Sequence, residues 1–151
     1  MIISDSTTLI ILFDLKRLEL LNNLFEKIYI PNAVFQEISF KEKIVLPDFI
    51  QIIEVEESEL LDSLKNLLEI GESEAITLAK EKNQSLIIDE KKGRKISKNL
   101  DIKIIGLLGI IYLNVKQEFL CKDDAKLFLE SAIKNGYRIN KKLIADMLET
   151  L

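Results

Sequence analysis

Histidine is absent from this 151-residue chain, and there is a single cysteine, Cys121. The first absence removes every Ser-His-Asp triad, Cys-His pair, zincin helix and imidazole acid or base. The lone thiol excludes an intrachain disulfide and any Cys-rich zinc cage. Proline is confined to Pro31 and Pro47 and glycine to five positions, so no linker, low-complexity stretch or repeat is visible. No apolar run reaches membrane-spanning length. The nearest, "IKIIGLLGIIYL" (102–113), holds Lys103 and two glycines. The opening "MIISDSTTLI" lacks a basic segment and a small-residue cleavage site, so no signal peptide is expected and the cytoplasm is the default location. Any catalysis falls to carboxylates, lysines, hydroxyls or a hard metal ion.

What is there is ordinary globular chemistry: 48% hydrophobic and 30% charged residues. The length suits one domain with a real core, here 1–120 as an α/β unit and 121–151 as a helical hairpin. The net charge of −4 does not attract nucleic acid in bulk, so a polyanion needs a local patch. The densest patch is Lys91, Lys92, Arg94, Lys95 and Lys98, in "EKKGRKISK".

Short aliphatic runs alternate with helical spacing. "MIIS", "IYI", "FIQIIEVE", "SLII" and "KII" read as strands. Helices are expected over 7–15, 17–27, 31–39 (with Pro31 in its first turn), 58–70 (with Ser58 as N-cap), 71–82, 90–100 and 106–117. The tail reads as two helices, the first stopped by Asn135-Gly136 and the second capped by Asn140. Their apolar faces, Ala125, Phe128, Leu129, Ala132 and Ile133, then Leu143, Ile144, Met147 and Leu148, are expected mostly to pack on the domain. Phe13, Phe35 and Tyr112 read as core. Alternating strands and helices imply a three-layer α/β domain with a parallel sheet. In such sheets ligands bind beyond the C-terminal strand ends.

Acids stand at those ends. Asp5 follows "MIIS" and Asp89 follows "SLII". Neighbouring strands lie about 4.8 Å apart, so the two carboxylates, if their strands pair, face each other across a gap that suits one cation. Each equally suits a helix N-cap. Glu74 lies in the first turn of its helix, where the macrodipole favours an acid, and Glu72 is the weaker candidate beside it. Glu37 sits at the margin of an apolar helical face. Four converging carboxylates repel one another and raise their pKa values. A divalent ion removes that conflict, and oxygen ligands without imidazole or thiolate suit Mg²⁺ or Mn²⁺.

The stretches "SDSTTLIILFDLKRLELLNNLFEKIYIPNAVFQEI", "GESEAITLAKE", "LIIDEKKGRKISKNLDIKIIGLLGII" and "NGYRINKKLIADML" resemble the PIN-domain nucleases, and more narrowly their DUF3368 branch. The resemblance implies strand order 3-2-1-4-5, metal-dependent hydrolysis of RNA, and often a toxin inhibited by a small antitoxin partner. It makes Asp5 and Asp89 the core metal ligands, Glu74 the third acid and Glu37 the family glutamate, with Ser6 or Thr7 as a small hydroxyl near the site. Many PIN toxins carry Thr two residues before the last Asp; Ile87 stands there, and an alignment using Glu90 puts Ile88 there instead. The usual hydroxyl is missing either way. Lys91, Lys92, Arg94 and Lys95 are then expected on substrate phosphates, with Arg94 favoured for its planar fork. Apolar surplus on the tail would serve a homodimer or an antitoxin segment. The competing reading is a PIN-like module that binds RNA or protein without cutting. A receiver domain is disfavoured, because "EVEESEL" supplies no Asp and "IIGLLG" no Lys.

Overall fold

The computed structural model describes residues 1–40 and 42–151. Five parallel strands form one sheet in the order β3-β2-β1-β4-β5, with helices on both faces. They are β1 (Ile2–Ser4), β2 (Ile28–Pro31), β3 (Ile50–Ile53), β4 (Ser85–Ile87) and β5 (Ile104–Ile105). The central strand pairs Ile3 with Tyr29 on one side and with Leu86 on the other. Ile2, Ile3, Ile28, Ile30, Leu86 and Ile87 are all buried, as expected for strands covered on both faces. Pairing continues past β1, because the Asp5 amide donates to the Ile87 carbonyl at 2.9 Å. That bond sets the position of Asp5 at the sheet edge. The strand order is the one the resemblance implies.

Nine helices are seen among the described residues: α1 (Ser6–Asp14), α2 (Glu19–Asn22), α3 (Asn32–Ile38), α4 (Glu59–Lys65), α5 (Ile70–Lys82), α6 (Lys91–Asn99), α7 (Leu107–Lys116), α8 (Lys122–Lys134) and α9 (Lys141–Glu149). Ser58 caps α4 by accepting from the Leu61 amide at 3.1 Å, and Asn140 caps α9 by accepting from Lys142 and Leu143. Gly136, at φ +95°, takes the left-handed conformation that ends the α8 turn.

Three expectations shift. The helix expected over 17–27 is one turn, α2: beyond Asn22 the Leu24 and Phe25 amides both turn back to the Leu21 carbonyl. Pro31 ends β2 in extended conformation (ψ 160°) and stands at the N-cap, outside α3. The 58–70 helix stops at Lys65: the Leu67 and Leu68 amides both turn back to the Leu64 carbonyl, and Glu69 is extended. The turn this creates walls the cavity described below.

Helix α8 docks as expected, with Ala125, Phe128, Leu129 and Ala132 buried. Helix α9 docks in part: it contacts α7 and α8 and packs Ile144 and Met147 against the core, but buries none of its residues fully.

A buried polar pin joins α2 to α7. The Asn114 amide donates to the carbonyls of Leu20 (2.8 Å) and Ile110 (2.9 Å), and the residue has no exposed surface. Leaving the Leu20 carbonyl unpartnered costs about 1–3 kcal/mol. Asn114→Ala is expected to lose that much in urea unfolding, while Asn99→Ala, at the exposed end of α6, stays within about 0.5 kcal/mol. Equal losses in the two variants would remove the pin from the account.

Candidate active site

Parallel strands deliver their C-terminal ends to one edge, and the acids gather there. A cavity of about 470 Å³ opens at that edge, lined by Asp5, Glu37, Glu69, Glu72 and Glu90, with Ser6, Lys65 and Lys92 on its rim. Asp5 is 3% exposed. It precedes α1 but its side chain makes no capping hydrogen bond, and its Oδ1 is buried without a partner. Burial pushes its carboxyl up to about 7, opposed by the Ser6 backbone and helped by the charges of Glu37, Glu90 and Asp89. Glu72 shares that condition. Its Oε2 is buried and unpartnered, and burial, then Asp5, Glu90, Glu69 and Glu37, push it up to about 7.

Glu37, Asp89 and Glu74 have partners. Glu37 accepts a hydrogen bond from the buried Ser6 hydroxyl. Asp89 accepts from the Leu107 amide (3.0 Å to Oδ1), capping α7 rather than the adjacent α6, and from the Thr8 hydroxyl. Thr8 thus brings a hydroxyl to Asp89 from α1, where the sequence around Ile87 has none. Ile87 and Ile88 are buried core. Glu74 accepts from the Ala33 amide at 3.2 Å, in the first turn of α3, and does not line the cavity. Glu72 lines it instead. Two residues apart on a helix are about 200° apart around the axis, so only one can face a given wall. Periodicity could not choose between them, because α5 is buried nearly all round, from Ala75 through Ala79.

Glycines sit against these acids. A Cβ on Gly93 would lie 2.7 Å from Glu72 Oε2, and one on Gly106 would lie 2.5 Å from Asp89 Oδ1. Both positions admit the carboxylates because no side chain is there. The cations divide between two places. Lys92 faces the acidic cavity, whereas Lys91, Arg94 and Lys95 line a neighbouring groove that Asp89 also borders. Arg94 donates from Nη1 to the Ile88 carbonyl at 3.0 Å.

The family model DUF3368, a PIN domain, matches residues 1–151. The chain belongs to the PIN-domain family. No curated protein matches this PIN domain. Among solved structures it is similar to a PilT N-terminus domain protein from the hyperthermophilic archaeon Sulfolobus solfataricus P2. Identity is 16%, with 93% of this chain and 100% of that one covered, at a TM-score of 0.46.

The donor set of this PIN domain fits a hydrated magnesium-type ion. Among the described residues no group of three or more acidic or cysteine side chains is already placed to hold a metal. Mg²⁺, however, keeps several waters and is usually bound through one or two carboxylates. Asp5 Oδ1 and Glu72 Oε2 are two such oxygens without other partners.

The same crowding makes the metal-free protein sensitive to pH. Asp5 titrates near its ordinary 3.8 in the unfolded chain and near 7 in the folded one. Between those values the folded state keeps a proton that the unfolded state has released, so stability falls as pH rises and levels off above about 7. At about 1.4 kcal/mol per tenfold in proton affinity, the loss is on the order of a few kcal/mol. In EDTA, melting temperature is expected to fall from about pH 5 to pH 8, at roughly 2–4 °C per kcal/mol. Asp5→Asn is expected to reduce that fall, leaving the part due to Glu72, and to melt higher at pH 8, with added Mg²⁺ restoring only the wild type. A flat wild-type profile would contradict the burial argument.

Proposed function

We propose that this PIN domain is a ribonuclease that hydrolyses phosphodiester bonds of single-stranded RNA with Mg²⁺ or Mn²⁺. One observation carries the reading: two buried carboxylate oxygens without partners, Asp5 Oδ1 and Glu72 Oε2, share one cavity beside a cation-lined groove. Asp5 and Glu72 would hold the ion, with Asp89 and Glu90 completing the negative field around it. When bound, the ion lowers the pKa of a water and offsets charge on the phosphate. Glu37, held by the Ser6 hydroxyl at Oε2, would be left with Oε1 to orient an attacking water and accept its proton. Lys92 and Lys65, on the rim, balance phosphate oxygens as charge builds. Asp89, fixed by Thr8 and the Leu107 amide, holds the wall between cavity and groove. No step needs imidazole or thiolate. On the family resemblance alone, the reading extends to a homodimeric toxin restrained by a small antitoxin.

The test is metal-dependent cleavage of generic single-stranded RNA. Asp5→Asn and Glu72→Gln are each expected to lose about 10²-fold or more, the scale of removing a general base or a preorganised charge. Glu74→Ala is expected to stay within about tenfold in rate and to lose about 1 kcal/mol of stability, as for a lost helix cap. A Glu74→Ala protein that is stable yet as inactive as Asp5→Asn would transfer the role of Glu72 to Glu74. RNA bound but never cut, at any metal concentration, would favour the non-catalytic binding module.

A further inference from the structure

The groove beside the acidic cavity has two banks, and only one of them belongs to the α/β core. Its volume is about 1020 Å³. One bank is α6, with Lys91, Arg94, Lys95 and Lys98. The other is the C-terminal hairpin, with Arg138 and Asn140 in the link between α8 and α9, and Leu143 and Met147 on α9. The floor is apolar, formed by Ile104, Ile105, Leu108 and Tyr112. Tyr112 therefore lines the groove, contrary to its reading as core.

We propose that the C-terminal hairpin is the second bank of a binding groove for single-stranded RNA, with Arg138 as its phosphate contact and Tyr112 as its base-stacking surface. Five cations line the groove against one acid, Asp89, among the described residues, in a chain whose net charge is −4. None of the five takes part in an ion pair among the described residues. That local excess selects a polyanion. The apolar floor selects a single strand, since a duplex keeps its base faces inside while a single strand offers them for stacking. The hairpin bank is tied down: the Tyr137 hydroxyl, next to Arg138, donates to Asp14 Oδ2 at 2.8 Å, fixing the link to the end of α1. The partial burial of α9 follows from the same role, because the side it turns to the groove is left for a ligand rather than for core. The proposal rests on the ribonuclease reading for the identity of its ligand and not for its geometry.

Binding of the full chain to a fluorescein-labelled oligouridine with 2′-O-methyl sugars, in EDTA so that nothing is cut, separates the two. Arg138→Gln is expected to weaken binding several-fold and to reduce the slope of log affinity against log salt by about 0.7, the value for one single-strand phosphate contact. Leu143→Glu, at a position already 53% exposed, is expected to weaken binding at least as much without unfolding the chain. Lys126→Gln, on exposed α8 surface outside the groove, leaves both quantities unchanged. Wild-type affinity and slope in Arg138→Gln and Leu143→Glu, with Lys95→Gln weakened, would remove the hairpin from the groove. Displacement of the oligonucleotide by polyglutamate at equal charge concentration would assign the groove to an acidic protein instead and overturn the proposal. A chain that binds through both banks but never cuts RNA would sink the ribonuclease reading alone. A chain that cuts RNA and ignores hairpin changes would do the reverse.

Discussion

Burial of carboxylates at one sheet edge, sharpened by their mutual repulsion, is the constraint around which the site is built. Asp5 and Glu72 are each raised first by burial and further by neighbouring acids, Asp5 against an opposing Ser6 backbone bond. Desolvation favours the neutral form of an acid, and neighbouring negative charge adds to it. The fold gives three neighbouring acids their own donors: Ser6 to Glu37, Thr8 and the Leu107 amide to Asp89, the Ala33 amide to Glu74. Two buried carboxylate oxygens, Asp5 Oδ1 and Glu72 Oε2, are left without one, and they are the two that a cation would satisfy.

Those donors also explain why helix starts crowd the same edge. Asp89 serves α7 and Glu74 serves α3, each from a different element. A carboxylate at a helix N-terminus meets partial positive charge from unpaired amides, so the edge can carry a dense set of acids. The glycines belong to the same arrangement. Gly93 and Gly106 leave space for carboxylate oxygens that an added Cβ would crowd to 2.7 and 2.5 Å. Acid and glycine are thus parts of one packing solution rather than separate features.

Charge is sorted in space more finely than along the chain. Lys91 and Lys92 are neighbours in sequence, yet one lines the groove and the other the acidic cavity. A phosphodiester crossing from groove to cavity would pass from a positive field into a negative one at Asp89. On the proposed reading, positive charge would hold the chain of phosphates, and a divalent ion would make the last step tolerable.

Much was legible from local pattern. The aliphatic runs, the caps at Ser58 and Asn140, the stop at Gly136 and the acids Asp5 and Asp89 at strand ends follow from short-range propensity and alternation. So does the exclusion of imidazole chemistry, an intrachain disulfide and a Cys-rich metal cage, which composition alone settles. Tertiary structure decided which acid of α5 faces the cavity, because a helix buried nearly all round carries no polar stripe to show its orientation. It decided that Thr8, some 80 residues from Asp89 in sequence, supplies the hydroxyl absent beside it. It also set Arg138 and Tyr112 across from α6. Residues that meet only when strands pair and helices dock leave no periodic trace, since their proximity is a property of the sheet order and not of their spacing.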